Sequence, residues 1–241
     1  MNIILECKKM RRTGFYPAFI AGGILASCLP VMNMTVRPDT FKNLPQPPLT
    51  ILLDANWTMM AMLNVLLIVS AACIMYHTEH DDNAIQKMQT LPLRESGIFF
   101  AKFVLMTCMS IVTLTIEALA FLFCSLQWFD KYDGLYPDLL KSFGYFLILM
   151  LPAVLLALAI ASACNNMWIS LGIGVICVFT ASMIVSTDHF ILQIFPFALP
   201  FRILAGAASL TVKKFLTTII SEIMVIGLAE LIFLRIRRAL V

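Results

Sequence analysis

Three glutamates, Glu117, Glu222 and Glu230, sit in stretches otherwise made of apolar and small polar side chains. A carboxylate among hydrocarbon is costly, so it must be hydrogen bonded, paired with a cation or put to use. Glu117 has the least escape, because it is the one charge between Phe103 and Phe129. It can bind a cation or line a polar path. Equally, it can hydrogen bond to a Ser or Thr of a neighbouring helix. Glu230 lies close to Arg235 and Glu222 follows Lys213 and Lys214, so both can also be read as residues that reach a boundary and pair there. On one helix Glu222 and Glu230 would be about 80° apart.

The second polar concentration is Thr78–Gly97, TEHDDNAIQKMQTLPLRESG. With the preceding His77, its Glu79, His80, Asp81 and Asp82 are metal-ligand types, but the spacing lacks the H-E-x-x-H helix pattern and no metal is read from it. Asp82 suits a helix N-cap and Pro92 a helix stop. Between them Ala84, Ile85, Met88 and Leu91 fall on one face, and Asn83, Gln86, Lys87, Gln89 and Thr90 on the other. The spacing predicts a short amphipathic helix. It can be a connector lying in a membrane interface or a docking helix for a soluble partner. The first fourteen residues make a similar element. Ile3, Ile4 and Cys7 would face lipid, while Glu6, Lys8, Lys9, Arg11 and Arg12 would face headgroups and water.

The elements that hold these groups follow from composition. Of 241 residues 61% are hydrophobic and 13% charged, with mean hydropathy +0.91; soluble domains carry about 25% charged residues. Ser142–Thr187 has no Asp, Glu, Lys or Arg, enough for two crossings of about 20 residues. They would be divided at Asn165-Asn166. Other crossings are expected at about Phe15–Val36, Ala55–Tyr76, within Phe103–Phe129 and at about Phe215–Leu234. The fold class is therefore an all-α integral membrane bundle of six helices in a single domain, 1–241. The proline-broken apolar segment 189–212 reads as a re-entrant hairpin on the outer side or a loop on the headgroups. Ten of the 17 basic residues fall on the side of both termini, which places the termini in the cytoplasm. The uncharged run from Thr13 is too long for a signal-peptide core. The seven cysteines form no C-x-x-C pair. Gly is never followed by Lys, so the chain lacks a phosphate-cradling G-x-x-x-x-G-K-[ST] loop.

With these residues in view, the chain resembles a permease subunit of an ABC transporter of the type-two exporter class, in the lantibiotic-immunity and bacitracin-resistance group. The resemblance rests on three segments. Glu6-Cys7-Lys8-Lys9-Met10-Arg11-Arg12 resembles the interfacial helix before the first span. Glu79 with Asn83–Leu93 and Lys102 resembles the family's Glu-led cytoplasmic loop with its Pro step and following Lys. Pro196, Pro200, Phe201 and Arg202 resemble its outer hairpin.

The resemblance implies a function and a set of partners. An ABC ATPase dimer would bind ATP and magnesium, and this chain would bind no cofactor and catalyse nothing. A second permease subunit, identical or related, would complete the channel. Glu79, Asp82, Ile85, Lys87, Met88, Leu91 and Pro92 in loop 77–97 would couple to the ATPase. Glu6, Lys9, Arg11 and Arg12 in segment 1–14 would move with them. Glu117 and Glu222 would meet an antimicrobial peptide expelled from the lipid of a bacterial plasma membrane. Nucleic acid is not a partner. Two other classes fit the composition: a membrane sensor or structural subunit, and a lipid-modifying enzyme using His77 and His80.

Overall fold

The computed structural model describes residues 3–42, 44–80, 95–130, 134–185, 194–204 and 209–239. Among them the regular elements are all helical: α1 (Ile3–Met10), α2 (Phe15–Val36), α3 (Pro38–Lys42), α4 (Pro48–His80), α5 (Glu95–Trp128), α6 (Leu135–Ala163), α7 (Met167–Ile184) and α8 (Ser209–Ala239), with one 3-10 turn at Leu199–Phe201. Five of them, α2 and α4 to α7, are long and apolar enough to cross a membrane. The first expected crossing coincides with α2. The second and third lie inside the longer α4 and α5. The sixth, Phe215–Leu234, falls within α8, which is not among those five. The neutral stretch breaks where expected, and Asn166 caps α7 with its side-chain oxygen accepting from the Trp168 N–H at 2.9 Å.

Why these stretches are helices follows from their hydroxyl and amide bookkeeping. In hydrocarbon every backbone group must be satisfied locally. Hydroxyls that would compete with it instead bond back to the carbonyl one turn earlier, as at Thr35, Ser70, Thr107, Ser110, Thr115 and Thr180. The turn from α1 into α2 is made by Gly14, whose φ of 76° is strained for any residue with a Cβ.

Helix α4 is the hub, packed on α2, α5, α6 and α7, and α8 lies along α6. Aromatic residues fill the space between α4, α5 and α6. The Trp57 ring lies 4.5 Å from Phe146, and Phe121 meets Phe143 edge-on at 5.6 Å. The described part of the proline-broken segment is inserted against this core. Phe197, Ala198, Leu199, Pro200 and Phe201 are buried, and the Trp57 indole N–H donates to the Pro200 carbonyl at 3.1 Å. Of the expected hairpin 189–212, residues 189–193 and 205–208 lie outside the described residues and 209–212 begin α8; the expected coupling helix Asp82–Leu91 also lies outside the described residues. The outward faces of α2, α7 and α8 carry exposed Ile, Leu, Met and Phe side chains, as lipid contact requires.

Helices α2 and α5 approach closely at Gly23, where a Cβ would stand 3.3 Å from the Thr113 Cα and the Ile116 Cδ1. At Gly144 a Cβ would meet nothing within 4 Å. Gly23→Leu should therefore destabilise the bundle by about 1–3 kcal/mol through overpacking, while Gly144→Ala stays near neutral. Thermal unfolding in detergent measures both, and equal midpoints for the two variants would contradict this packing.

Candidate functional site: a charge latch and a ladder of buried polar groups

At the end of the bundle where α1 lies, three charged side chains from three helices meet. The Lys9 ammonium of α1 is 2.7 Å from Glu79 Oε1, and the Lys102 ammonium of α5 is 3.0 Å from the same oxygen. Lys102 is fully buried and Glu79, on the last turn of α4, is 3% exposed. Lys102 also donates to the Met75 carbonyl at 2.9 Å and stands 4.2 Å above the Tyr76 ring. A buried ammonium is tolerable only with this combination of carboxylate, carbonyl and π face. Glu6 adds attraction at Lys102 from the α1 side.

This corrects the amphipathic reading of the N-terminus. Glu6 is buried rather than facing headgroups, with Oε2 unbonded among the described residues. Met10 is buried as well, and Ile3, Ile4 and Leu5 are exposed. The α1 face was set by the charge pair on α4 and α5, which hydrophobicity does not register. Arg11 and Arg12 are exposed, as expected. A further tie is the Tyr16 hydroxyl, which donates to the Cys7 carbonyl at 3.0 Å.

Deeper in the bundle a second cross-link joins the same two helices. Asn64 Nδ2 of α4 donates to Glu117 Oε1 of α5 at 2.8 Å, and both residues are buried. Asn64 and Glu79 are fifteen residues apart on α4, and Lys102 and Glu117 are fifteen apart on α5. At 1.5 Å per residue each pair spans about 22 Å. The two antiparallel helices are thus pinned twice in one register. Nearer the opposite end, Asn33 of α2 donates to Asn56 Oδ1 at 2.5 Å, while Asn56 donates to the Leu52 carbonyl. Ser162 of α6 donates to Glu230 Oε1 at 2.6 Å, tying α8 to the bundle. The sequence did not single out Asn33, Asn56, Asn64 or Ser162. The available signal was that Asn56 and Asn64 lie eight apart, about 80° on a wheel, in a run free of charge.

Glu222 is placed differently. It is 8% exposed, its two oxygens have no hydrogen-bond partner among the described residues, and it lines a cavity of about 600 Å³ between α7, residues 194–196 and α8. Of the expected coupling residues, Glu79 is in the latch. Asp82, Ile85, Lys87, Met88, Leu91 and Pro92 lie outside the described residues. His77 is exposed, and among the described residues no group of three or more His, Cys, Asp or Glu gathers as metal ligands would.

Removing Glu79 should leave Lys102 buried beside no carboxylate of α4. Glu79→Ala is expected to cost about 3–5 kcal/mol. Lys9→Ala should cost at most about 1 kcal/mol, because Lys9 is partly solvated. Adding Lys102→Met to Glu79→Ala should restore part of the loss. Denaturant unfolding of the purified variants measures this cycle, and equal losses for Glu79→Ala and Lys9→Ala would refute it.

No curated protein and no solved structure matches the chain. A family model described as ABC-2 family transporter protein matches residues 2–182, from the start of α1 into the last turn of α7. That match covers well over half of the chain, so this multi-pass membrane protein belongs to the ABC-2 family of transporter proteins.

Proposed function

We propose that the chain is the membrane-spanning permease subunit of an ATP-driven exporter that expels a lantibiotic or related antimicrobial peptide from the membrane of a bacterial cell. Family membership implies a transport component with an ATPase partner. The observation that carries the finer reading is the latch. Residues 81–94 connect the Glu79 end of α4 to the Lys102 end of α5, and Lys9 ties α1 to the Glu79 carboxylate that Lys102 shares.

A push on that connecting segment therefore acts on three helices together. In this reading α8 is the sixth crossing and both termini are cytoplasmic. Asp82–Leu91 is a coupling helix seated in the ATPase, with Ile85, Met88 and Leu91 inward and Lys87 on the polar face. The ATPase dimer binds ATP and magnesium, and a second permease completes the channel. Nucleotide closure would then tilt α4 and α5 as a rigid pair, with α1 following through Lys9. A substrate already in lipid would leave between helices. An apolar groove of about 380 Å³ between α5 and α6, lined by Leu114, Tyr136, Leu139, Leu140 and Phe143, is consistent with such a lateral route.

Co-expression with a neighbouring ATPase tests this. Ile85→Pro or Lys87→Glu should reduce ATPase co-purification at least tenfold and abolish survival against lantibiotics. The same loss of survival is expected when the Walker lysine of the ATPase is replaced. His77→Ala with His80→Ala should leave survival intact. Assembly and protection unaffected by the coupling-segment variants would refute the coupling assignment, and loss of protection in the His variants would favour an enzyme.

A further inference from the structure

Among the acidic groups of the bundle, Glu117 is sealed at 0% exposure and bonded to Asn64, and Glu230 accepts from Ser162. Glu222 is buried and unbonded among the described residues, and it borders open volume. Among the described residues the rest of this open groove is lined by Ile184, Ile194, Phe195, Pro196, Val225 and Ile226, with Ser221. The Ser221 hydroxyl is already committed to the Thr218 carbonyl at 2.7 Å, so it supplies no proton to the carboxylate. Lys214 is eight residues away on α8, about 12 Å along the axis. The Arg202 guanidinium is turned to the Val185 carbonyl at 3.0 Å. The two ion pairs found among the described residues both belong to Glu79.

We infer that this cavity is a binding site for a single primary ammonium or guanidinium carried on an apolar chain, such as a Lys or Arg side chain of an amphipathic cationic peptide. Two features select that chemistry. Once ionised, the carboxylate carries one negative charge, which a bound cation compensates and an anionic group repels. The aliphatic and aromatic walls suit the methylene stem and neighbouring apolar residues, which keep their contacts while the charged head reaches Glu222. About 600 Å³ lies within the range of ordinary ligand pockets. A second negative group on the ligand, such as a lipid phosphate, would face Glu222 with like charge. The site rests on the exporter reading for its biological sense, and it names the part of the peptide that the exporter would grip.

The test uses the full chain in phosphatidylcholine nanodiscs and two probes carrying the same dansyl reporter, N-dodecanoyl-lysine amide and N-dodecanoyl-norleucine amide. Empty nanodiscs give the partition background. The lysine probe should bind at least tenfold more tightly than its uncharged partner. Glu222→Gln should abolish that preference and leave the norleucine probe within twofold. Asp54→Asn, at an exposed carboxylate of α4, should leave the preference intact. Val225→Trp, which sets a ring at the exposed mouth of the groove and keeps the carboxylate, should weaken the lysine probe at least tenfold even if Glu222→Gln proves unfolded. Equal binding of the two probes, a preference that survives Glu222→Gln, or full binding in Val225→Trp overturns the site. So does a Glu222→Gln chain whose oligomeric mass changes while probe binding does not, because a second copy would then cover the cavity. ATPase co-purification is read on the same preparations. Its loss with the probe preference intact defeats the exporter reading alone, and its retention with no preference defeats this site alone.

Discussion

An ammonium group with no exposed surface sets the terms for one whole end of this molecule. Lys102 must have its carboxylate, so Glu79 cannot move away from α5, and the final turn of α4 is fixed to the early turns of α5. Because the same carboxylate oxygen also holds Lys9, the short surface helix is bound to that junction and not merely laid on lipid. Buried ion pairs contribute little net stability against a well-packed apolar alternative. Their value here lies in specifying which helices move together. In a protein whose helices could slide on one another through equivalent apolar contacts, a point charge is a positional reference.

The amide–carboxylate contact between Asn64 and Glu117 completes that reference. Lipid tails are as apolar as leucine, so burial alone gives helices little preference for one neighbour over another inside a bilayer. Polar contacts and close approaches at small residues take over that role. The paired fifteen-residue spacings on α4 and α5, the Asn33–Asn56 bond and the approach of α2 at Gly23 together fix rotation and register. The serine on α6 that meets Glu230 does the same for α8.

Much of this was legible in the chain. Charge-poor runs located the five helices long and apolar enough to cross, because a bilayer imposes length and apolarity directly on sequence. The break at Asn165-Asn166 was legible for the same reason. Glu79, Lys9 and Lys102 were each visible as residues of short segments, but their convergence was not, since Lys9 and Glu79 are 70 positions apart. Glu6 was misplaced because an amphipathic wheel ranks residues by affinity for water and cannot know that a buried ammonium waits on the other side. Asn64 was passed over because a lone amide in an apolar run looks tolerated until its partner is seen. Glu117, read either as lining a path or binding a cation or as the partner of a neighbouring hydroxyl, is bonded to an amide. The insertion of Pro200 against Trp57 depends on residues 143 positions apart and leaves no local trace.

Helix α7 has 18 residues, about 27 Å at 1.5 Å per residue, whereas its neighbour α6 has 29. A typical hydrocarbon layer is about 30 Å thick. At 18 residues α7 is near the lower limit for a spanning helix and crosses such a layer close to upright, whereas α6 has length to spare for tilt.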